Sequence, residues 1–216
     1  MQTLIVNDNI YTSRNNIGSI GGFYQFRGDP EKRVFGLTNY HVAQIDGICT
    51  AGQKAFGINS NEGIGTLFSW FRLESDIVNS FDLALVNLDK TLVRPLWGLD
   101  TAGYAVPAID QEVRLMNRRE IRTGFISNVN SGEFSVTIAG TDYRIGNLIQ
   151  ITSANDLPFS EHGHSGSVIF SDTNQLVGVL VGGDPENRHL SYVMPFLDRR
   201  NRKGILNSWA LEVADL

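Results

Sequence analysis

The sequence reads Gly163-His164-Ser165-Gly166-Ser167 directly before the apolar run Val168-Ile169-Phe170, which places a serine between two glycines ahead of a predicted strand. A serine hydroxyl is a weak nucleophile by itself. It needs a tight, exposed turn beside a base, with backbone N–H groups facing the oxygen that becomes negative. Glycines permit such a turn because they adopt backbone angles that other residues resist. The stretch therefore indicates a nucleophile, Ser165, although a Gly/Ser surface turn between two strands would have the same composition.

Two earlier segments supply the residue types that would activate this serine. An apolar strand pattern that starts at Val34 ends at His41, and an alternating strand pattern follows directly after Asp82. A base and its orienting carboxylate, in the chain order His, Asp, Ser, are the parts that an acyl-transfer site requires. Taken singly, His41 also fits a buried histidine bound to a backbone carbonyl, and Asp82 fits a turn residue at the start of a strand. The ordered set favours a triad of His41, Asp82 and Ser165.

With these segments the chain resembles the trypsin-like (chymotrypsin-fold) serine peptidases, in particular the disulfide-free intracellular and bacterial members. The motifs that carry the resemblance occur in the family's order and span nearly the whole chain: Leu37–Val42, Asp82–Leu85, Gly163–Ser167 and Gly178–Gly183. The resemblance implies two packed antiparallel β-barrels with a cleft between them. Residues 1–100 would form the barrel that carries His41 and Asp82, and residues 101–216 the barrel that carries Ser165.

The resemblance also implies roles for individual residues. His41 would act as general base and then general acid, Asp82 would hold the imidazole tautomer, and Ser165 would form the acyl-enzyme. The backbone N–H groups of Gly163 and Ser165 would form the oxyanion hole. The implied substrate-binding residues are Phe159, Ser160, Glu161, His162, Val181, Gly183 and Ser191.

Two preferences at the cleavage site remain open from the sequence. With Phe159 at the base of the pocket, small or apolar side chains would be favoured. A shift of the alignment by one or two residues would bring Glu161 into the pocket and favour Arg or Lys. Three positions depart from the family pattern: His164 replaces an aspartate, Ser167 a glycine, and Val181 a serine that bonds to the triad aspartate. Asp82 therefore needs another hydrogen-bond donor.

The pattern along the chain predicts an all-β fold, because short apolar or alternating segments are separated by Gly, Asn and Asp turns. The predicted strands span residues 17–26, 32–39, 48–56, 63–73 and 81–88, then 112–116, 121–129, 133–138, 143–151, 167–170, 176–181 and 190–194. Prolines and glycines interrupt residues 93–110, so we place the boundary between the barrels near Leu99–Gly103. The segment Phe196–Ala214 is predicted to hold a short C-terminal helix.

The composition limits the partners and the compartment. A net charge of -5 and a pI near 5.3 argue against nucleic acid as the main partner. The single cysteine, Cys49, cannot form an internal disulfide. No basic leader and no run near the roughly 20 apolar residues of a membrane span occurs, so we expect a cytoplasmic protein without a membrane partner. No cofactor or metal is expected, because His162, His164, His189 and Cys49 lack the spacing of a zinc site.

The predicted function is that of a serine endopeptidase which cleaves one or a few partner proteins. The alternative is a partner-gated or inactive trypsin-like protein that acts as a binding module, because the altered serine loop could require a partner to form its oxyanion hole. An esterase is disfavoured, because Ser165 is followed by a strand and the turn Ser171–Asn174 instead of a helix. Nothing in the sequence indicates an oligomeric state.

Overall fold

The computed structural model describes residues 3–13, 16–58, 63–94, 103–197, 205 and 209–214. The described part is built almost entirely of antiparallel strands, as the sequence predicts. The strands are β1 Asp8–Tyr11, β2 Ile17–Ile20, β3 Phe23–Phe26, β4 Phe35–Thr38, β5 Lys54–Gly57, β6 Gly63–Trp70, β7 Val78–Asn79, β8 Ala84–Leu88, β9 Glu112–Met116, β10 Ile121–Asn128, β11 Phe134–Ile138, β12 Thr141–Ile145, β13 Ile149–Ser153, β14 Val168–Ser171, β15 Leu176–Gly183, β16 Leu190–Pro195 and β17 Leu211–Val213. A short helix α1, Tyr40–Ala43, and a 3-10 turn, Lys90–Leu92, interrupt them.

The second half of the chain forms a closed six-stranded barrel in the order β10-β13-β16-β15-β14-β9. The residues of β9 alternate between the barrel interior and solvent: Val113 and Leu115 are fully buried, while their neighbours are not. This alternation is the two-residue period of a strand with one face on the core. The prediction of a β-barrel in this half is confirmed.

The first half, together with the C-terminal strand β17, forms an eight-stranded sheet in the order β17-β3-β4-β8-β6-β5-β1-β2. Among the described strands this sheet is open, whereas the sequence predicts a closed barrel. Its two edge strands are β2 and β17, and β17 pairs with β3. The sheet nevertheless curves back on itself, since the backbone N–H of Gly21 donates to the carbonyl of Leu37 at 2.7 Å.

One apolar core joins the two halves. Leu83 and Leu85 from the first sheet belong to the same buried cluster as Val179, Val181 and Met194 from the closed barrel. A small third sheet also bridges them, because β12 of the second half pairs in parallel with β7 of the first. Burying this shared apolar surface stabilises the contact by about 25 cal/mol per Å². The two halves of the chain therefore pack directly against each other.

The predicted C-terminal helix, Phe196–Ala214, is not confirmed. Much of this segment lies outside the described residues, and its last part is the strand β17, which pairs with β3 in the first sheet. Leu211 is buried there, so an apolar position that fits a helix face also fits a strand face. The predicted boundary near Leu99–Gly103 also falls mostly outside the described residues. No helix within the described ranges has the length and apolar character to cross a membrane.

Candidate active site

His41 lies where β4 ends and the chain turns into α1. Its imidazole is 20% exposed, and its Nδ1 lies 2.5 Å from Oδ2 of Asp82, whose side chain is fully buried. The backbone N–H of His41 donates to the other carboxylate oxygen, Oδ1, at 3.1 Å. The residue before the helix, Asn39, donates its side-chain N–H to the backbone carbonyl of Asp82 at 2.8 Å. The start of α1 and the residue ahead of β8 are thus held together by three hydrogen bonds.

This arrangement determines the imidazole tautomer. A carboxylate only accepts hydrogen bonds, so Nδ1 carries the proton that it donates to Asp82, and Nε2 keeps its lone pair. Asp82 also needs a second hydrogen-bond donor, because Val181 has no hydroxyl to offer. The second carboxylate oxygen of Asp82 takes the backbone N–H of His41 instead of a serine hydroxyl.

Ser165 lies on a turn whose backbone angles at positions 163 and 166 favour glycine. Gly163 and Gly166 have φ values of 92° and 91°, in the left-handed region. A Cβ at Gly166 would also lie 2.5 Å from the carbonyl oxygen of Ser19. The Ser165 hydroxyl donates to the carbonyl of Val181 at 2.9 Å. Within the described structure no hydrogen bond joins this hydroxyl to His41.

Several backbone N–H groups of the loop around Ser165 are already bound within the described structure. His164 donates its N–H to Glu161, Gly166 to Leu180, and Ser167 to His164, at 2.9–3.0 Å. In the part of the chain that the structure describes, the N–H groups of Gly163 and Ser165 have no acceptor. A pair of free donors beside a serine hydroxyl is the arrangement that can bind a developing oxyanion.

A charged cluster surrounds His164, in which the histidine is buried, Arg122 and Glu120 are partly buried and Glu161 is exposed. The Nδ1 of His164 accepts the backbone N–H of Glu161 at 3.1 Å, and its Nε2 lies 3.3 Å from a carboxylate oxygen of Glu120. Arg122 pairs with both Glu120 and Glu161, at 2.8 and 3.0 Å. Because Nδ1 accepts a hydrogen bond, the imidazole is neutral with its proton on Nε2. Burial, helped by the nearby Arg122 charge, lowers the pKa of His164.

We expect this histidine to make folding stability depend on pH. Its pKa is about 6.5 when unfolded and lower when folded, so the unfolded chain binds the proton first as the pH falls. Its contribution to stability is present above pH 6.5 and is lost as the pH falls through the lowered folded pKa. The slope of this loss is at most about 1.4 kcal/mol per pH unit, the value for one proton.

Denaturant unfolding of the wild type and His164→Gln between pH 4 and 8 measures this effect. Glutamine offers both an acceptor and a donor but does not titrate, so the difference between the two curves isolates the His164 proton. The other three histidines are present in both proteins, so their effect is common to the two curves. Curves that stay parallel across the range would contradict the assignment.

The predicted pocket residues divide into two groups. The hydroxyls of Ser160 and Ser191 are 2.7 Å apart and both residues are buried. Gly183 lies beside them, because a Cβ there would be 3.1 Å from Oγ of Ser160. Phe159 is fully buried, and its ring packs inside the closed barrel, where a Cβ at Gly124 would lie 2.9 Å from it.

Of the remaining predicted residues, Val181 is buried, whereas Glu161 and His162 lie nearer the surface. Glu161 is exposed but its carboxylate is bound to Arg122, and His162 is exposed. Sequence reasoning did not single out Asn39, Glu120 or Arg122. Asn39 has a local signal, as a polar residue next to α1. The ion pair of Arg122 with Glu120 is local, but the ion pair with Glu161 forms only when β10 meets the serine loop. Among the described residues, no group of three or more His, Cys, Asp or Glu side chains is arranged to hold a metal ion.

Solved bacterial proteases have the same fold over nearly the whole chain. The structure is similar to the chymotrypsin of Cellulomonas bogoriensis, with 22% sequence identity, 98% of each chain covered and a TM-score of 0.63. It is similar to protease A of Thermobifida fusca, with 18% identity, 99% of this chain and 100% of the other covered, and a TM-score of 0.64. The Nocardiopsis protease gives 18% identity, the same coverage and a TM-score of 0.65. No protein-family model and no curated protein sequence matches the chain. The chain therefore has the chymotrypsin fold.

Proposed function

We propose that this protein is a serine endopeptidase that works through His41, Asp82 and Ser165. The observation that carries the proposal is the pairing of a fully buried carboxylate with both the Nδ1 and the backbone N–H of one histidine. This pairing leaves Nε2 of His41 as a base. The fold adds a serine on a glycine turn with two unused N–H donors, and solved proteins of this fold are proteases by name.

The reaction starts with a rotation of the Ser165 side chain. Its hydroxyl leaves the Val181 carbonyl and turns to Nε2 of His41, which takes the proton as the oxygen attacks the scissile carbonyl carbon. The oxyanion accepts hydrogen bonds from the N–H groups of Gly163 and Ser165. The protonated His41 then gives its proton to the leaving amine. Water, activated by the same histidine, hydrolyses the acyl-enzyme.

Substrate binding itself would release the hydroxyl. An extended peptide that donates a backbone N–H to the carbonyl of Val181 competes with Ser165 for that acceptor. The end of β15 suits such a peptide: β14 pairs with β15 only as far as Val179, so among the described strands none covers this edge of Val181–Gly183. Addition of a strand to an open sheet edge is a common mode of peptide recognition. This favours a peptide substrate over a small ester.

The hydroxyl pair of Ser160 and Ser191 suggests the preference at the cleaved residue. No free carboxylate is offered to Arg or Lys, because Glu161 is engaged by Arg122. We propose that the pocket takes a polar side chain that forms a hydrogen bond with these hydroxyls. Ser191→Ala is expected to lower kcat/KM for such a substrate about tenfold, the value of one hydrogen bond, and to leave an alanine substrate unaffected. Cleavage of a peptide library varied at this position measures the effect; a preference for Arg or Lys would contradict it.

Labelling by a fluorophosphonate probe tests the central proposal. This probe reacts only with a serine that is activated and next to a formed oxyanion hole. Labelling of the wild type that is lost in Ser165→Ala is expected. Absence of labelling in the folded wild type would contradict the proposal.

A binding module is the second candidate. The observation that favours it is the Ser165 hydroxyl, which is bonded to Val181 instead of His41. In that case a peptide would bind at β15 without being cleaved, and the probe would not react even when the peptide is present. Labelling that rises on addition of a short peptide would instead indicate a gated enzyme.

We also propose that the substrates are one or a few partner proteins in the cytoplasm. An unrestrained peptidase would be harmful there, and the single cysteine is consistent with a reducing compartment. Incubation with a whole-cell lysate is expected to yield few cleaved species. Many cleaved species would overturn this proposal.

A further inference from the structure

The carbonyl of Gly163 is held by two side chains from the other half of the molecule. It accepts a hydrogen bond from the hydroxyl of Ser19 and one from the side-chain amide of Asn9, each at 2.8 Å. Asn9 lies on β1 and Ser19 on β2, which pair with each other at this position. The same amide of Asn9 lies 3.3 Å from the Ser19 hydroxyl. The three groups therefore form one connected network.

A backbone contact extends this network past the serine. The N–H of Ser19 donates to the carbonyl of Ser165 at 2.7 Å. The carbonyls of Gly163 and Ser165 are thus both bound to the β1–β2 hairpin. Ser19 is 1% exposed and Asn9 is partly buried, so the hydroxyl of Ser19 is shielded from water.

The Gly163 carbonyl matters because it lies on the same residue as one of the two unused N–H donors. Peptide units are rigid planes, so the orientation of a glycine is set only by its φ and ψ. Gly163 has a φ of 92°. Because glycine has no Cβ, no side chain of its own restrains these angles. Binding its carbonyl fixes the peptide plane that follows Gly163. The N–H of Gly163 lies on the preceding plane, which can then turn relative to the fixed one only through φ and ψ of Gly163.

We propose that Asn9 and Ser19 are positioning residues for the oxyanion hole. They hold the carbonyl of Gly163, and this keeps the N–H of Gly163 directed at the site where the oxyanion forms. This inference rests on the proposed peptidase function. Both groups must donate, because a carbonyl only accepts; an acceptor in place of Asn9 would repel it.

The test compares Ser19→Ala and Asn9→Asp with the wild type. Aspartate at position 9 has nearly the same shape as asparagine but places a carboxylate against the Gly163 carbonyl. We expect kcat to fall about tenfold to a hundredfold with little change in KM. This is a smaller loss than the roughly 10²–10³-fold fall in kcat that is typical when a whole oxyanion donor is removed. Ser171→Ala is the matched control, since this buried serine bonds to the N–H of Gln175 at 3.0 Å, on another turn.

A second measurement separates positioning from a purely structural role. A peptidyl trifluoromethyl ketone adds to the serine and mimics the oxyanion, so its affinity is expected to fall in parallel with kcat/KM. The affinity of an uncleaved peptide, measured with each substitution in a Ser165→Ala background, is expected to stay constant. Thermal unfolding shows that each variant is folded. Unchanged kcat and unchanged ketone affinity, or a change in KM alone, would overturn the proposal.

Amide hydrogen exchange across residues 161–167 keeps the inference independent of activity. Exchange is expected to be faster in Ser19→Ala and Asn9→Asp than in the wild type and Ser171→Ala. If the wild type does not react with the fluorophosphonate, the peptidase function fails, while the exchange data still test the contact with the hairpin. Equal exchange in all four proteins would overturn the positioning role of Asn9 and Ser19.

Discussion

Ser165→Ala is expected to lower kcat for peptide cleavage by about a millionfold, and His41→Ala by a similar factor. The two side chains act as one unit: without the hydroxyl there is no acyl-enzyme, and without Nε2 there is no acceptor for its proton. Their separate losses will therefore not add in the double variant. Residual turnover of about 10³–10⁴ over water is expected from the oxyanion donors and substrate binding alone. Steady-state cleavage of a fluorogenic peptide measures these losses.

Ser167→Ala provides the matched control for this experiment. Ser167 lies in the same loop, and its buried hydroxyl has no hydrogen-bond partner among the described residues. Its removal is expected to leave turnover close to that of the wild type. Thermal unfolding should show all variants folded. Comparable activity of Ser165→Ala and the wild type would exclude Ser165 as the nucleophile.

Asp82→Asn is expected to lower kcat about 10⁴-fold while the fold is retained. The asparagine oxygen would keep the hydrogen bond from the backbone N–H of His41, which turns the NH₂ group towards Nδ1. Nδ1 would then have to accept, so the imidazole proton would move to Nε2. A protonated Nε2 cannot take the proton of Ser165, and the base is lost although the geometry is almost unchanged.

Asp76→Asn is the matched control for this substitution. Asp76 is exposed on the turn before β7, and its carboxylate bonds to the hydroxyl of Ser75 at 3.2 Å. It is the other aspartate of the segment ahead of β8, and we expect no change in kcat. Near-normal turnover of Asp82→Asn, with a loss in Asp76→Asn, would reverse the assignment.

Strand content could be predicted because it depends on local pattern. The alternation in β9 and the apolar run in β14 are visible in the sequence, and both are strands in the structure. Residues 143–151 were predicted as a single strand, but the structure divides them into β12 and β13. The break has a tertiary cause: β12 pairs with β7 of the first half, whereas β13 belongs to the closed barrel. No local pattern contains that information.

The all-β class, the chain order His, Asp, Ser and the glycines of the serine turn could be read from residue types and their near neighbours. How these parts meet depends on contacts between distant parts of the chain. His41 and Asp82 are 41 residues apart in the chain, and Gly163 and Asn9 are 154 apart. The donor that replaces a serine at Val181, the ion pairs around His164 and the strand at the C-terminus all arise from such distant contacts. Hydrogen bonds and ion pairs of this kind form only after the two halves pack, so the sequence pattern carries no trace of them.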